Sequence, residues 1–271
     1  MFPDDKGISR TLFHPRAEGC EHVPKGLLTE TPCDGARICG YLHEHRTSDR
    51  LLLLFHGNGE LAADYDRLGS MFVECGASFW VIDYRGYGRS TGVPSFSSML
   101  RDAEAVLSDI PRIAKLLGRP LAPVFVMGRS LGSAPAIHLA ATRPERLAGL
   151  VLDSPYADVI ALLARLGGPV LERAALPGFQ DNLDKIRACR LPCLLIHGSN
   201  DRIVPPTDAV ALHAACPSKV KQLLTVAGAG HNDLLAVGHA AYFRTLTEFL
   251  ARASAEAHHG ARGTPEDLLT S

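Results

Sequence analysis

Apolar positions along the chain fall into two alternating kinds of segment. Short, nearly uninterrupted apolar runs recur, each ending on Gly, Asp or Ser: RLLLLFHG, ASFWVIDYRG, APVFVMGRS, RLAGLVLDSP, LPCLLIHGSND and KQLLTVAGAGH. Runs of this length without polar alternation predict strands buried on both faces, the pattern of a mostly parallel sheet. Between them apolar residues return at helical spacing. From Ser98 to Leu117, the residues Leu100, Ala103, Val106, Leu107, Ile110 and Ile113 share one face, and Ser98 offers an N-cap. Ahead of the first run, TETPCDGARICGYLH places two extended pieces around Asp34-Gly35, which predicts an antiparallel β-hairpin. Strand alternating with helix predicts an α/β fold with a doubly wound, mostly parallel sheet.

Size and composition narrow the reading. A chain of 271 residues with 46% hydrophobic content builds one sizeable core. We expect one domain over 27–252, an extension over 1–26, and a tail over 253–271 whose low-complexity end, AEAHHGARGTPEDLLTS, stays disordered. A net charge of -1 lacks the basic footprint of a nucleic-acid binder. The apolar run Leu51 to Phe55 is far too short to cross a bilayer, so no transmembrane segment is expected. The first residues, MFPDDKGISRTLFHPR, carry acids early and no apolar stretch of the signal-peptide kind. Seven cysteines, with no C-x-x-C pair and no Cys/His set at zinc spacing, predict neither a disulfide framework nor a metal site. The expected compartment is the reducing cytoplasm.

Ligands of such sheets bind beyond the carboxyl ends of the strands. Four of those ends carry candidate chemistry. Gly128-Arg129-Ser130-Leu131-Gly132 stands between a strand and a helix, where a sharp turn lifts a serine hydroxyl above the sheet and a Cβ at either glycine would crowd it. Alone, Ser130 has a plainer reading as a helix cap. Pro135 lies early in the following helix, harmless in the first turn and a kink beyond it. Asp201 follows LLIHGSN, where an aspartate is also a common turn residue. His231 lies in the glycine-rich AGAGHND with nothing bulky to pack it. His56-Gly57-Asn58-Gly59 follows LLLLF and reads either as an Asn-Gly turn or as a loop offering the Asn58 N–H to an anion, with the Leu131 N–H as a second donor. Serine, aspartate and histidine in that order, each at a strand end, is the chain order of serine hydrolases of this architecture.

Taken together, His56-Gly57-Asn58-Gly59, Asp83-Tyr84-Arg85-Gly86-Tyr87-Gly88-Arg89-Ser90-Thr91-Gly92, Gly128 to Gly132, Gly198 to Pro205 and Gly228 to Asp233 resemble the motif set of the α/β-hydrolase family. The resemblance covers about Thr29 to Leu250 and points to the branch that contains acyl-protein depalmitoylases and related esterases. It implies an α/β-hydrolase fold, no cofactor, Ser130 as nucleophile, His231 as base and Asp201 as the acid that orients it. It also implies that the Asp83 to Gly88 loop braces the oxyanion loop, with Asp83 and Arg85 structural. Asp153, ending RLAGLVLDSP, is the alternative acid. His43-Glu44-His45 lacks a third ligand, and Cys189 and Cys193 read as packing residues.

Substrate class has to be read from the short lid insertion at about 156–190, whose first half is rich in Leu, Ile, Val and Ala. On a helix Val159, Leu162, Leu163 and Leu166 share a face, which either lines a pocket for an acyl substrate or seats the lid on the core. The leading function is therefore a serine hydrolase of esters or thioesters with an apolar acyl or other small-molecule substrate. An aminopeptidase-like amidase would need carboxylates such as Asp158, Glu172, Asp181 or Asp184 over the site. A catalytically retired receptor or scaffold would have no need of all three of Ser130, Asp201 and His231.

Overall fold

The structure, a computed structural model, describes residues 4, 6–19 and 23–261. The predicted hairpin is β1 (Leu27–Cys33) and β2 (Ala36–His43), closed between Cys33 and Ala36. Asp34 and Gly35 both take positive φ, 45° and 74°, as a two-residue hairpin turn with the strands' own twist requires. The apolar runs become β3 (Leu51–Phe55), β4 (Ser78–Ile82), β5 (Val124–Arg129), β6 (Gly149–Asp153), β7 (Cys193–Gly198) and β8 (Lys221–Val226). They form one sheet in the order β1-β2-β4-β3-β5-β6-β7-β8, parallel from β4 to β8.

Period-two alternation divides the strand residues between two layers. Leu51, Leu53 and Phe55 face one core with Val126, Leu150 and Leu195; Leu52 and Leu54 face the other with Phe125, Val151 and Leu194. On the first side lie α1 (Lys6–Leu12), α3 (Phe96–Leu117), α4 (Ser133–Thr142), α5 (Val159–Arg165), α6 (Asn182–Ile186) and α7 (Pro206–Ala215). On the second lie α2 (Gly69–Glu74) and α8 (Leu234–Ala261). With both faces covered, continuous apolar strands bury everything they carry, which is why β3, β4, β6 and β7 read as runs rather than alternations.

Three boundaries differ from expectation. Helix α3 starts earlier: Ser95 is its N-cap, and Ser98 sits three residues in and returns the bond, its hydroxyl accepting from Ser95 N–H at 2.9 Å. Pro111 inside that helix leaves the Leu107 carbonyl without its helical donor, and Arg146 Nη2 supplies one at 3.2 Å. Helix α8 passes residue 252 and continues to Ala261, with Ala253 and Ser254 buried; the rest of the expected tail, 262–271, lies outside the described residues. At the other end the extension joins the core, because Ile8, Leu12 and Phe13 are all buried.

Candidate active site

The turn after β5 shows why glycine flanks Ser130. Its residues Ser130–Gly132 form a single 3-10 turn leading into α4. A Cβ on Gly128 would stand 2.2 Å from the Gly132 carbonyl oxygen, and one on Gly132 would stand 1.9 Å from the Phe55 carbonyl oxygen. The missing side chains thus let the turn close on itself and press against the backbone leaving β3. Ser130 itself is held at φ 50°, a left-handed conformation costing a non-glycine residue about 1–3 kcal/mol. Ser133 Oγ donates to the Ser130 carbonyl at 2.7 Å and secures the turn. Pro135 falls in the first turn of α4, where a missing N–H costs no helical bond.

Three strand ends converge above the sheet. Ser130 Oγ lies 2.9 Å from His231 Nε2, and His231 Nδ1 lies 2.7 Å from Asp201 Oδ2. Asp201 Oδ1 accepts the Ile203 and Val204 N–H groups, each at 2.9 Å. Burial pushes the Asp201 carboxyl up, but hydrogen bonds from His197 and His231 and the Val204 N–H outweigh it, so the group is held well below the usual carboxylate range. A carboxylate fixed in this way takes a proton-bearing Nδ1 from His231 and leaves Nε2 bare toward the serine hydroxyl. The arrangement can draw a proton from Ser130 while the hydroxyl oxygen attacks an electrophilic carbon.

These groups open on a cavity of about 210 Å³ lined by Leu12, His14, Asn58, Arg129, Ser130, Leu131, Leu162, Leu166, Ile203, His231 and Asn232. Asn58 and Leu131 therefore face the same space as the hydroxyl. Among the described residues nothing accepts from the Asn58 backbone N–H, which leaves it open to a ligand. Its loop is braced from the Asp83 to Gly88 segment: Tyr84 Oη donates to the His56 carbonyl at 2.6 Å, Tyr87 Oη to Asn58 Oδ1 at 2.7 Å, and Ala62 N–H to Asp83 Oδ1 at 2.8 Å. Arg85 turns away to a two-pronged pair with Asp102 on α3.

The lid face divides. Leu162 and Leu166 line the cavity, whereas Val159 and Leu163 are fully buried in the core and do not. Leu163 packs against α1 instead, where a Cβ on Gly168 would stand 2.7 Å from Thr11 and 3.2 Å from Leu163. Sharing a face on a helix of this length did not mean facing the ligand, because the seam between α5 and α1 takes the inner half of the stripe. The acidic residues of the insertion are committed elsewhere. Asp158 caps α5 and pairs with Arg173 at 2.7 Å, Asp181 caps α6 and pairs with the same arginine, and Asp184 pairs with Arg187 at 3.0 Å. Glu172 is exposed, and among the described residues no carboxylate lines the cavity.

Asp153 also lies apart, receiving the Tyr242 hydroxyl and the Ser154 hydroxyl, each at 2.8 Å. Among the described residues no group of His, Cys, Asp and Glu is arranged to hold a metal, and Cys33, Cys39, Cys75, Cys189, Cys193 and Cys216 are free thiols.

Several residues around the site carried no sequence signal that sets them apart. Arg129, inside the G-x-S-x-G motif, is ion-paired with Glu60 and donates to the His231 carbonyl at 2.8 Å, joining the loop after β3, the turn after β5 and the histidine loop. Burial pushes the Glu60 carboxyl up, yet Arg129, aided by His56, Tyr65 and the Gly57 N–H, holds it below the ordinary range. His197 Nε2 donates to the Val204 carbonyl at 2.9 Å and faces Asp201 Oδ2 at 3.2 Å.

A sheet in this order, with a serine on the elbow after its central strand, defines an α/β-hydrolase architecture. A protein-family model described as serine aminopeptidase, S33, matches residues 46–182 and 172–235. Protein bem46 of Schizosaccharomyces pombe is 31% identical over 209 residues, covering 74% of this chain and 67% of that protein. Alpha/beta hydrolase domain-containing protein 17B of Xenopus laevis is 30% identical over 232 residues, covering 83% of this chain and 75% of that protein. The structure of the Pyrococcus furiosus esterase Pf2001 superimposes with a TM-score of 0.72 at 19% identity, over 88% of this chain and 98% of that one. The chain belongs to the α/β-hydrolase family and is a hydrolase. Among the described residues no helix is long and apolar enough to cross a membrane.

Proposed function

We propose that the protein is a serine hydrolase that cleaves carboxylic esters or thioesters through an acyl-enzyme on Ser130, with an apolar acyl group as its substrate. The observation that carries this reading is the continuous line Ser130–His231–Asp201, with separations of 2.9 and 2.7 Å, opening on a cavity lined by Asn58 and Leu131 and by the apolar Leu12, Leu162, Leu166 and Ile203. Ser130 Oγ attacks the carbonyl carbon as its proton passes to His231 Nε2. The oxygen that gains charge is met by the N–H groups of Asn58 and Leu131. Collapse expels the leaving group, which takes the proton from His231, and water repeats the sequence to release the acid.

The family model's description names an aminopeptidase, but among the described residues no carboxylate stands in the cavity wall to meet a substrate ammonium, which favours the ester reading. A retired scaffold would have no physical need to keep a bonded Ser–His–Asp line at the mouth of a cavity. The test is fluorophosphonate labelling followed by matched series of p-nitrophenyl esters and S-acyl thioesters. Labelling together with ester or thioester turnover is expected. Turnover of N-terminal amino-acid amides alone would overturn the assignment in favour of the amidase, and absence of both labelling and turnover would favour the scaffold.

Chain length is the sharper readout of the acyl pocket. Each methylene enclosed is worth about 0.8 kcal/mol, roughly fourfold in kcat/KM, until the cavity is full. Efficiency should climb from acetyl through medium chains and then level off. Leu166→Asp should penalise the medium chain far more than acetyl. The same change at Leu163 should instead lower the melting temperature, because that side chain is fully buried in the seam with α1. A flat chain-length profile in the unaltered protein would remove the acyl pocket and leave a general small-ester hydrolase.

A further inference from the structure

The internal bonds of the oxyanion loop all end on Gly57: Glu60 N–H donates to its carbonyl at 3.3 Å, His56 Nδ1 to the same carbonyl at 2.8 Å, and its own N–H to Glu60 Oε2 at 2.8 Å. Asn58 and Gly59, the latter at φ 76°, lie beyond them. A backbone donor in such a loop stabilises a developing oxyanion only if it is aimed before the reaction begins. Much of what aims it comes from far away in the chain. His14 N–H is shared between Asn58 Oδ1 at 2.8 Å and Tyr87 Oη at 2.7 Å. Arg16 Nε donates to the Gly59 carbonyl at 2.7 Å, its guanidinium pairs with Asp64, and its own carbonyl accepts from Gly88 N–H at 2.9 Å.

The same segment is fastened at its other end. Ile8, Leu12 and Phe13 are buried in the core, and Thr11 meets Gly168 just beyond α5. Leu12 and His14 also stand in the cavity wall. The His14 ring can be assigned a tautomer. Asn58 Oδ1 already receives two donors, so the amide nitrogen is the atom 3.2 Å from His14 Nδ1, which must accept; the ring proton of the neutral imidazole then lies on Nε2.

We propose that residues 6–17, which precede the family match at residue 46, act as a strap that positions the Asn58 N–H over the nucleophile, with Arg16 and the Asn58 side chain as its two fastenings. The inference rests on the ester or thioester reading above. Arg16 touches no reacting atom in this scheme; it is a positioning residue that acts through the Gly59 carbonyl.

Two variants undo the strap without emptying the core. Arg16→Ala removes the bond to the Gly59 carbonyl. Asn58→Ala keeps the backbone donor but cuts its tie to His14, and the His14 N–H and Tyr87 hydroxyl still satisfy one another at 2.7 Å. Outright loss of an oxyanion donor costs about 100- to 1,000-fold, so a donor left in place but free to wander should cost about tenfold in kcat. KM for a short ester should stay within about twofold, because the ground-state carbonyl gains little from that donor. A boronic acid that forms a tetrahedral adduct on the serine should weaken by the same factor as kcat/KM. A purely structural role would instead lower the melting temperature and the active fraction while the labelled molecules kept their kcat and boronate affinity, and that result overturns the strap. So does an unchanged kcat in both variants. If the unaltered protein takes no fluorophosphonate at all, the hydrolase reading fails first; normal labelling and turnover with indifferent variants fails the strap alone.

Discussion

Ser130→Ala abolishes fluorophosphonate labelling and lowers ester turnover by about four to six orders of magnitude, while the thermal melt stays close to that of the unaltered protein. The size of the loss follows from the division of labour at the elbow. Without Oγ there is no atom to form the acyl-enzyme, and the donors of the oxyanion loop are left to act on water attack alone. The fold is spared because the hydroxyl faces the cavity, and what holds the turn lies elsewhere: the Gly132 approach to Phe55 and the bond from Ser133 Oγ to the Ser130 carbonyl, neither of which uses Ser130 Oγ. Labelling that survived in the alanine variant would move the nucleophile to another serine and sink the assignment.

Asp201→Asn should cost nearly as much, about four orders of magnitude in kcat, by a different route. Its Oδ1 is fixed by two backbone N–H groups, so in an amide that position keeps the oxygen and the NH2 turns toward His231. His231 Nδ1 must then accept, its proton moves to Nε2, and the ring presents a donor to Ser130 where an acceptor is needed. His197 keeps its bond to the Val204 carbonyl, so the loop remains in place. A variant with more than a tenth of normal turnover would contradict this role. The pH dependence of stability gives an independent check. Asp201 has a folded pKa below its unfolded value, about 3.9 for a free aspartate, so its contribution is complete above that value and is lost as pH falls toward the folded one. The gap in melting temperature between the unaltered protein and Asp201→Asn should be widest near neutrality and close progressively below about pH 4.

What could be read from the sequence, and what could not, divides by the range of the interactions involved. The strands and hairpin were legible because burial on two faces or on one leaves a local pattern. Ser130, Asp201 and His231 were legible as a set because each ends a strand, and strand ends of a parallel sheet meet on one edge. The start of α3 was misplaced from Ser95 to Ser98 because the stretch offers serines at positions 95, 97 and 98, and only geometry decides which one caps. Val159 and Leu163 were grouped correctly on one face of α5, but periodicity says nothing about what that face meets; for Leu163 the answer lay beside Thr11, some 150 residues away. The Arg129–Glu60 pair and the His14–Asn58 contact were illegible for the same reason, joining segments 69 and 44 positions apart.

The way α5 is seated bears on how substrate gets in. Val159, Leu162 and Leu163 expose 0, 4 and 0% of their surface, and freeing a buried aliphatic side chain costs roughly 1.5–3 kcal/mol. Peeling the helix away as a hinged cover would therefore cost about 5 kcal/mol or more, leaving fewer than about one molecule in a thousand open at any moment. Leu166 and Ile203 line the cavity and are 42 and 41% exposed, so a route past them needs no such opening. Such a hydrolase has nothing to unlatch at an oil–water boundary, and its rate should follow the concentration of dispersed monomer without a jump when micelles form.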